Sequence, residues 1–248
     1  MRIKVLQWNI LYKEKIKNVL ETIKELQPDI ICLQEATQES PFNNYIDTIK
    51  FVADNLSFCH IFAPGQKFLP EGNITGNAII SRYPLKEIEI GILQKEKQDF
   101  NDETPEGRSY VKAKLILPEN KQATIVTTHM TFTPFFRDNL EKTEENKKII
   151  KFLKKERDPL IFTGDFNSPP SSNIVAELNK FMKHAGPDFN QKTWTTKLPF
   201  QYRGFEEKEF LKWRLDYIFV SKGIKIYSSK IIETRFSDHL PILAELEI

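Results

Sequence analysis

Only two cysteines occur in 248 residues, so a disulfide framework is excluded as the source of stability. Cys32 lies within the apolar run Ile30-Ile31-Cys32-Leu33, where a buried free thiol is expected. Cys59 has no other partner to pair with. The material for zinc is missing too: there is no cysteine pair, and none of the four histidines stands one helical turn from another. No nucleophile-elbow pattern supports a serine hydrolase. No apolar stretch approaches the roughly 20 residues a membrane span needs. The opening Ile3-Lys4-Val5-Leu6-Gln7-Trp8-Asn9 carries no basic leader, apolar h-region or cleavage site. A soluble, cytoplasmic protein is expected. An excess of one charge is also lacking: 36 basic residues face 34 acidic ones for a net +2, which argues against a strongly electropositive nucleic-acid cradle and leaves room for a local basic face. With no linker, repeat or low-complexity tract, the expectation is a single domain over residues 1–248 around one sizeable core.

What is present begins with alternating apolar patterns. Ile16, Val19, Leu20, Ile23 and Leu26 have the spacing of an amphipathic helix, and Pro28 marks its exit. A strand from Asp29 to Gln34 follows, then a helix-like segment from Asn43 to Leu56 and an extended Phe58 to Phe62. This β-α-β-α-β opening belongs to the α/β class. The middle is different. Ala78-Ile79-Ile80, Ile88 to Leu93, Tyr110 to Leu117 and Ala123 to Thr128 are short extended runs between turn-formers, which suggests an antiparallel or mixed sheet. Gln94 to Gly107 reads as a polar, mobile loop. Arg137 to Arg157 is helix-like, with an apolar stripe of Ile149, Ile150, Phe152 and Leu153 and with Lys147, Lys148, Lys151, Lys154 and Lys155 on a solvated face. A strand Leu160 to Thr163, a helix near Ser172 to Met182, and strands around Arg214 to Val220, Ile224 to Ile231 and Ile242 to Ile248 complete the chain. Two such half-units pack sheet on sheet with helices outside, an α/β/β/α sandwich.

Polar residues close several of these strands. Mg²⁺ takes oxygen ligands and is held by one or two carboxylates plus substrate phosphate. Glu35, after Ile30 to Gln34, is the best direct ligand, and Asn9 at the end of the first strand is placed to offer an amide oxygen beside it; an exposed or helix-capping acid is the plain alternative. In Gly164-Asp165-Phe166-Asn167 the acid and the amide alternate and so share one side of an extended segment. Asp165 there accepts a proton from water while Asn167 donates to a phosphoryl oxygen, although the same residue types also make an ordinary turn. Asp238-His239 adds a second metal-side carboxylate and an imidazole. Asp216, an acid within an otherwise apolar strand, is placed to orient that imidazole or else to pair with Arg214. His129 closes Thr124 to Thr128 and is a candidate to protonate the leaving oxygen; His60 and His184 have no comparable neighbours.

In this order, Trp8-Asn9, Gln34-Glu35, Gly76-Asn77-Ala78-Ile79-Ile80-Ser81-Arg82, Thr128-His129, Gly164-Asp165-Phe166-Asn167, Arg214-Leu215-Asp216-Tyr217-Ile218 and Ser237-Asp238-His239 resemble the endonuclease/exonuclease/phosphatase superfamily, the metal-dependent phosphoesterases related to deoxyribonuclease I. The resemblance spans essentially the whole chain. It implies a four-layer α/β sandwich with Mg²⁺, or Mn²⁺, held near Asn9 and Glu35, and with Asp238 reaching it directly or through water. It also implies that Asp165 and Asn167 align nucleophile and phosphate, that Asp216 orients His239, that His129 faces the scissile phosphate, and that Arg108 contacts phosphate with Asn77 behind the ligands. In-line attack by water on phosphorus is the implied reaction. His129, Ala36-Thr37 and Ser168-Pro169-Pro170 depart from the pattern of abasic-site endonucleases and disfavour that branch. Phe132, Phe135, Phe136 and Arg137, and then Trp194, Phe200, Tyr202, Arg203, Phe205, Phe210 and Trp213, are aromatics interleaved with arginine, suited to stacking on unpaired bases, to lipid headgroups or to core packing. A monomeric nuclease is therefore expected, with no protein partner to be inferred. A phosphatase or phospholipase for inositol phosphates or sphingolipids is the alternative, and a catalytically silent binding module is the last.

Overall fold

The computed structural model describes residues 1–68, 73–97, 106–156, 159–194 and 213–248. The chain opens with β1 (Arg2–Asn9), α1 (Ile16–Leu26) and β2 (Ile30–Gln38), a helical crossover that leaves its two strands parallel and paired. α1 buries Ile16, Val19, Leu20 and Ile23 and stops at Gln27, which is left-handed ahead of Pro28. After α2 (Thr48–Leu56), β3 (Cys59–Phe68) and β4 (Asn73–Ser81) extend this first sheet. The second sheet takes β5 (Leu85–Gln94), β6 (Arg108–Ile116), β7 (Gln122–His129), β8 (Leu160–Asp165), β9 (Met182–His184) and β10 (Asp216–Ser221). Helix α3 (Leu140–Leu153) makes the crossover between parallel β7 and β8, and α4 (Asn173–Phe181) precedes β9. Finally β11 (Lys225–Ile231) and β12 (Ile242–Glu247) return to the first sheet. The strand orders are β11-β12-β1-β2-β4-β3 and β5-β6-β7-β8-β10-β9, six strands in each.

Three apolar clusters make the layers. Ile3, Val5, Ile30, Ile79, Val111, Ile125, Ile161, Ile218 and Ala244 fill the space between the sheets. Leu6, Trp8, Ile31 and Leu33 carry the outer face of the first sheet against Val19 and Ile23 of α1 and Ile49 and Val52 of α2. Phe162, Phe219 and Val126 do the same for the second sheet against Ile149 and Leu153 of α3 and Ile174 and Leu178 of α4. The expected α/β/β/α sandwich is the observed architecture.

The differences from the sequence reading are local. Strand β2 continues past Gln34 to Gln38, through a register shift between Leu33 and Ala36. Helix α2 begins at Thr48 rather than Asn43, because the Asp47 carboxylate caps the amides of Ile49 and Lys50 while Asn44 and Tyr45 are left-handed. Helix α3 begins after Asn139, whose side chain accepts from Lys142 N, and the five expected surface lysines, Lys154 and Lys155 just past its end, are exposed. Cys32 is buried and free, and Cys59 is exposed and free. Residues 98–105 of the expected loop, Arg157, and Phe200, Tyr202, Arg203, Phe205 and Phe210 lie outside the described residues.

Candidate active site

The site follows from a strand's period of two. Residues facing the inter-sheet space run Ile3, Val5, Gln7, Asn9 along β1 and Ile30, Cys32, Gln34 along β2. Along β7 they run Ala123, Ile125, Thr127, His129, along β8 Ile161, Thr163, Asp165, and along β10, in reverse, Val220, Ile218, Asp216. In every row the aliphatic residues give way to polar ones at the same end of the sandwich. The first polar rung is a buried network: Gln7 and Gln34 exchange amide hydrogen bonds, and Gln34 Nε2 reaches Thr127 Oγ1 at 2.9 Å. Thr163 Oγ1 lies 2.9 Å from Thr127 Oγ1, and Gln7 Nε2 is 3.4 Å from Asp216 Oδ1. Above that rung stand the titratable groups.

Glu35 reaches the rim through the irregularity in β2, where it is the extra residue and adopts φ 54°. A side chain bearing a Cβ takes that left-handed conformation at some cost, and such bulges re-aim side chains at strand ends. Its Oε1 accepts from Asn9 Nδ2 at 3.0 Å and its Oε2 from Tyr12 N at 3.2 Å. Asn9 Nδ2 also donates to Asp165 Oδ2 at 3.0 Å, and its Oδ1 takes the Leu11 amide at 3.1 Å. Asn9 thus ties the carboxylates of the two sheets together. Asp238 receives Trp194 Nε1 at 3.2 Å. Burial first, and then the charge of Asp238, raise the Glu35 carboxyl above its ordinary value.

His239 is fixed from two sides. Its Nδ1 lies 2.8 Å from Asp216 Oδ2, and its main-chain oxygen accepts from Trp8 Nε1 at 3.0 Å. Asp216 therefore pairs with the imidazole, while Arg214 hydrogen-bonds main-chain oxygens, including Asp216 O at 2.8 Å. Burial alone would lower the proton affinity of His239, but Asp216, Asp165 and Asp238 together raise it well above the ordinary histidine value. Asp165 Oδ2 lies 3.6 Å from His239 Nε2. Burial, aided by the charge of Asp216 and opposed by His239, pushes the Asp165 carboxyl up to about 7. Asn167, also left-handed at φ 46°, donates its amide to Asp165 Oδ1 at 2.9 Å, and its Nδ2 lies 3.0 Å from His129 Nε2. Burial, Arg108 and His239 hold His129 well below the ordinary value. His129 Nε2 also lies 3.4 Å from Asp165 Oδ2.

These groups line one cavity of about 330 Å³. Its polar side carries Glu35, Arg108, His129, Asp165, Asn167, Asp238 and His239; Tyr12, Phe132, Phe136 and Trp194 supply an aromatic side. Asn9 and Asp216 stand behind it. Arg108, buried at the start of β6, pairs with Glu106. Asn77 donates to Ser109 O at 2.9 Å and faces a narrow adjoining cleft with Arg108. His60 is exposed, and His184 packs on Phe189 far from these groups in role. The sequence reading missed Gln7 as a site residue, although an amide in the inward row of an apolar strand was the available signal. It also missed Lys142 and Glu145, which lie on the buried face of α3. Continuing the helical spacing back from Ile149 would have put both on that face.

The sequence profile of the Endonuclease/Exonuclease/phosphatase family matches residues 6–239. The chain is similar to a "UPF0294 protein" of Vibrio campbellii (strain ATCC BAA-1116), 23% identical over 256 residues that cover 98% of this chain and 77% of that protein. Among solved structures it resembles an endonuclease/exonuclease/phosphatase from Beutenbergia cavernae DSM 12333 with a TM-score of 0.75, 18% identity, and coverage of 100% of this chain and 72% of that one. It also resembles the human Nocturnin catalytic domain with bound sulfate anion, with a TM-score of 0.72, 23% identity, and coverage of 99% and 94%. At these identities the structural likeness is one of fold. The match over nearly the whole chain, together with the two packed six-stranded sheets, makes this protein a member of the endonuclease/exonuclease/phosphatase family, whose members hydrolyse phosphoester bonds.

Proposed function

We propose that the protein is a Mg²⁺-dependent phosphodiesterase, with Mn²⁺ as a substitute, that cleaves single-stranded or end-bound nucleic acid. The observation that carries the reading is the confrontation, in one cavity, of Glu35 and Asp238 with Asp165 and the Asp216–His239 pair. Asp165, Asp216 and His239 also bring possible ligand atoms within 4.8 Å of one another. Their protons, however, are engaged in the 2.8 Å Asp216–His239 contact, which suits proton handling better than cation binding. Glu35 and Asp238 fit a hard divalent cation: both are carboxylates facing the cavity, and such a cation offsets both the burial and the Asp238 repulsion that raise Glu35. When bound, the cation withdraws charge from the phosphoryl group.

The chain's own residues do the rest. Asp165 receives the proton of the attacking water as the oxygen–phosphorus bond forms and the leaving oxygen departs in line. Protonated His239 and Arg108 donate to phosphoryl oxygens, and Asn167, with its Nδ2 held between His129 Nε2 and Met130 O, fixes the polar wall beside Asp165. On the aromatic side, Lys13 lies 5.1 Å from the Tyr12 ring and 5.9 Å from the Phe42 ring, a cation-and-ring pairing suited to a base and its phosphate. The cavity's modest 330 Å³ volume also favours a small phosphate ester as a second reading, a phosphatase or phospholipase acting on inositol phosphates or sphingolipids.

The test is turnover by the purified protein, in Mg²⁺, Mn²⁺ or chelator, of an aryl phosphodiester, labelled single-stranded and duplex DNA, RNA, inositol phosphates and sphingomyelin. Metal-dependent cleavage of single-stranded substrate above duplex is expected. Cleavage of the phosphomonoester or lipid alone would replace the nuclease reading, and no metal-dependent turnover of any substrate would refute both. We expect the active species to be a monomer, which sedimentation of the same preparation checks.

A further inference from the structure

Among the described residues a single lysine is buried, Lys142, at 0% exposure. It sits in the first turn of α3, on the face that continues through Glu145, Asn146, Ile149 and Leu153. An ammonium withdrawn from water is costly unless its protons are taken up. Its Nζ donates to the main-chain oxygen of Asn167 and lies 3.3 Å from Thr133 Oγ1. Burial pushes it down to about 8, against the charges of Asp138, Glu145 and Asp165.

The position of the accepting carbonyl matters more than the bond itself. Asn167 has φ 46°, and its carboxamide makes two contacts, with His129 Nε2 at 3.0 Å and Met130 O at 2.9 Å. A residue with a Cβ leaves the left-handed region readily unless neighbours hold it. The Asp165 carboxylate holds the Asn167 amide from one side, and Lys142 holds the carbonyl from below. Glu145, one turn along α3, ties down the adjoining strand end by accepting from Thr131 N at 2.9 Å.

We propose that Lys142 is a positioning residue for the reaction, its ammonium clamping the Asn167 carbonyl so that the Asn167 carboxamide stays aimed at His129 and the phosphate cavity. This rests on the phosphoesterase reading above. The alternative is that Lys142 merely helps α3 pack. A double-mutant cycle of K142M and N167A separates the two, with kcat and KM measured on the aryl phosphodiester. K142M is expected to lower kcat about 10²-fold, as a small misplacement of a reacting group does, with KM within threefold of wild type. In the N167A background, K142M is expected to change kcat by less than threefold, and K142R in the wild-type background to recover at least tenfold over K142M. Additive losses, or wild-type kcat in K142M, would overturn the proposal.

A second readout needs neither metal nor turnover: the ¹⁵N ring signals of His129 are expected to move in K142M and in K142Q, which keeps a donor without the charge. Unmoved His129 signals in folded variants would also overturn it. K142Q is carried through the same cycle, so that a poorly folding K142M does not end the test. If wild type itself turns over no phosphoester, the functional reading fails, and the His129 signals alone decide the role of Lys142.

Discussion

The change Asp216→Asn tests the site most directly. Asp216 is fully buried and lies 2.8 Å from His239 Nδ1, while the amide that replaces it keeps the shape and loses the charge. Removing one partner of a buried charged pair costs about 3–5 kcal/mol. If that loss falls on the transition state, at about 1.4 kcal/mol per decade, kcat/KM drops by roughly 10²–10⁴. The histidine reports the same event independently. Burial lowers its proton affinity, and Asp216 is the first of the carboxylates that raise it, so the ring titration followed by NMR should fall toward or below the ordinary histidine value. The sign of the stability effect follows. A raised folded-state pKa stabilises fully below the unfolded value and is lost as pH rises through the folded one, so D216N should lose more stability relative to wild type at pH 6 than at high pH. A kcat/KM within threefold of wild type, or an unchanged His239 titration, would refute the assignment.

Glu35→Gln should make the metal-free protein more stable, since it removes a carboxylate that burial, and then repulsion from Asp238, disfavour, while abolishing the rise in melting temperature that millimolar Mg²⁺ is expected to give wild type; a variant that keeps the full Mg²⁺ response rules out Glu35 as a ligand. Trp8→Phe leaves His239 O without the 3.0 Å indole donor and should cost about 1–2 kcal/mol in urea denaturation, with a fall in kcat that a mere packing change would not bring. His184 is held down to about 3 by burial, with the Arg214 charge adding to the effect. The unfolded chain thus binds a proton near pH 6.5 that the folded chain refuses, and between pH 7 and 5 this should remove about 2 kcal/mol of stability. His184→Gln should flatten that acid limb, and an unchanged limb would show that other groups set it.

Much of this arrangement was legible along the chain. Strand and helix periods placed the secondary structure, and polar residues closing apolar runs, Asp165 and His239 among them, with Asp216 interrupting another, marked the rim before any packing was known. What the sequence left open shares a cause: it concerns what a residue faces, and facing is settled by partners remote in sequence. Asn9 was expected to offer oxygen, and two carboxylates from different sheets draw its nitrogen. His129 was expected to give up a proton, and burial beside Arg108 and His239 holds its proton affinity well below the ordinary value. Lys142 was not singled out, because a lysine-rich helix looks the same from outside whichever face is covered.

Local spacing therefore placed the elements and their alternation, because periods of 2 and 3.6 residues are properties of the backbone, and the residue types along the chain gave the inventory of oxygen donors. Which donors meet was decided only by the packing of sheet on sheet. That packing carries Asn9 to within 3.0 Å of Asp165, 156 residues away, and withdraws most of the rim from water, so that the charges there depend on their neighbours for their protonation.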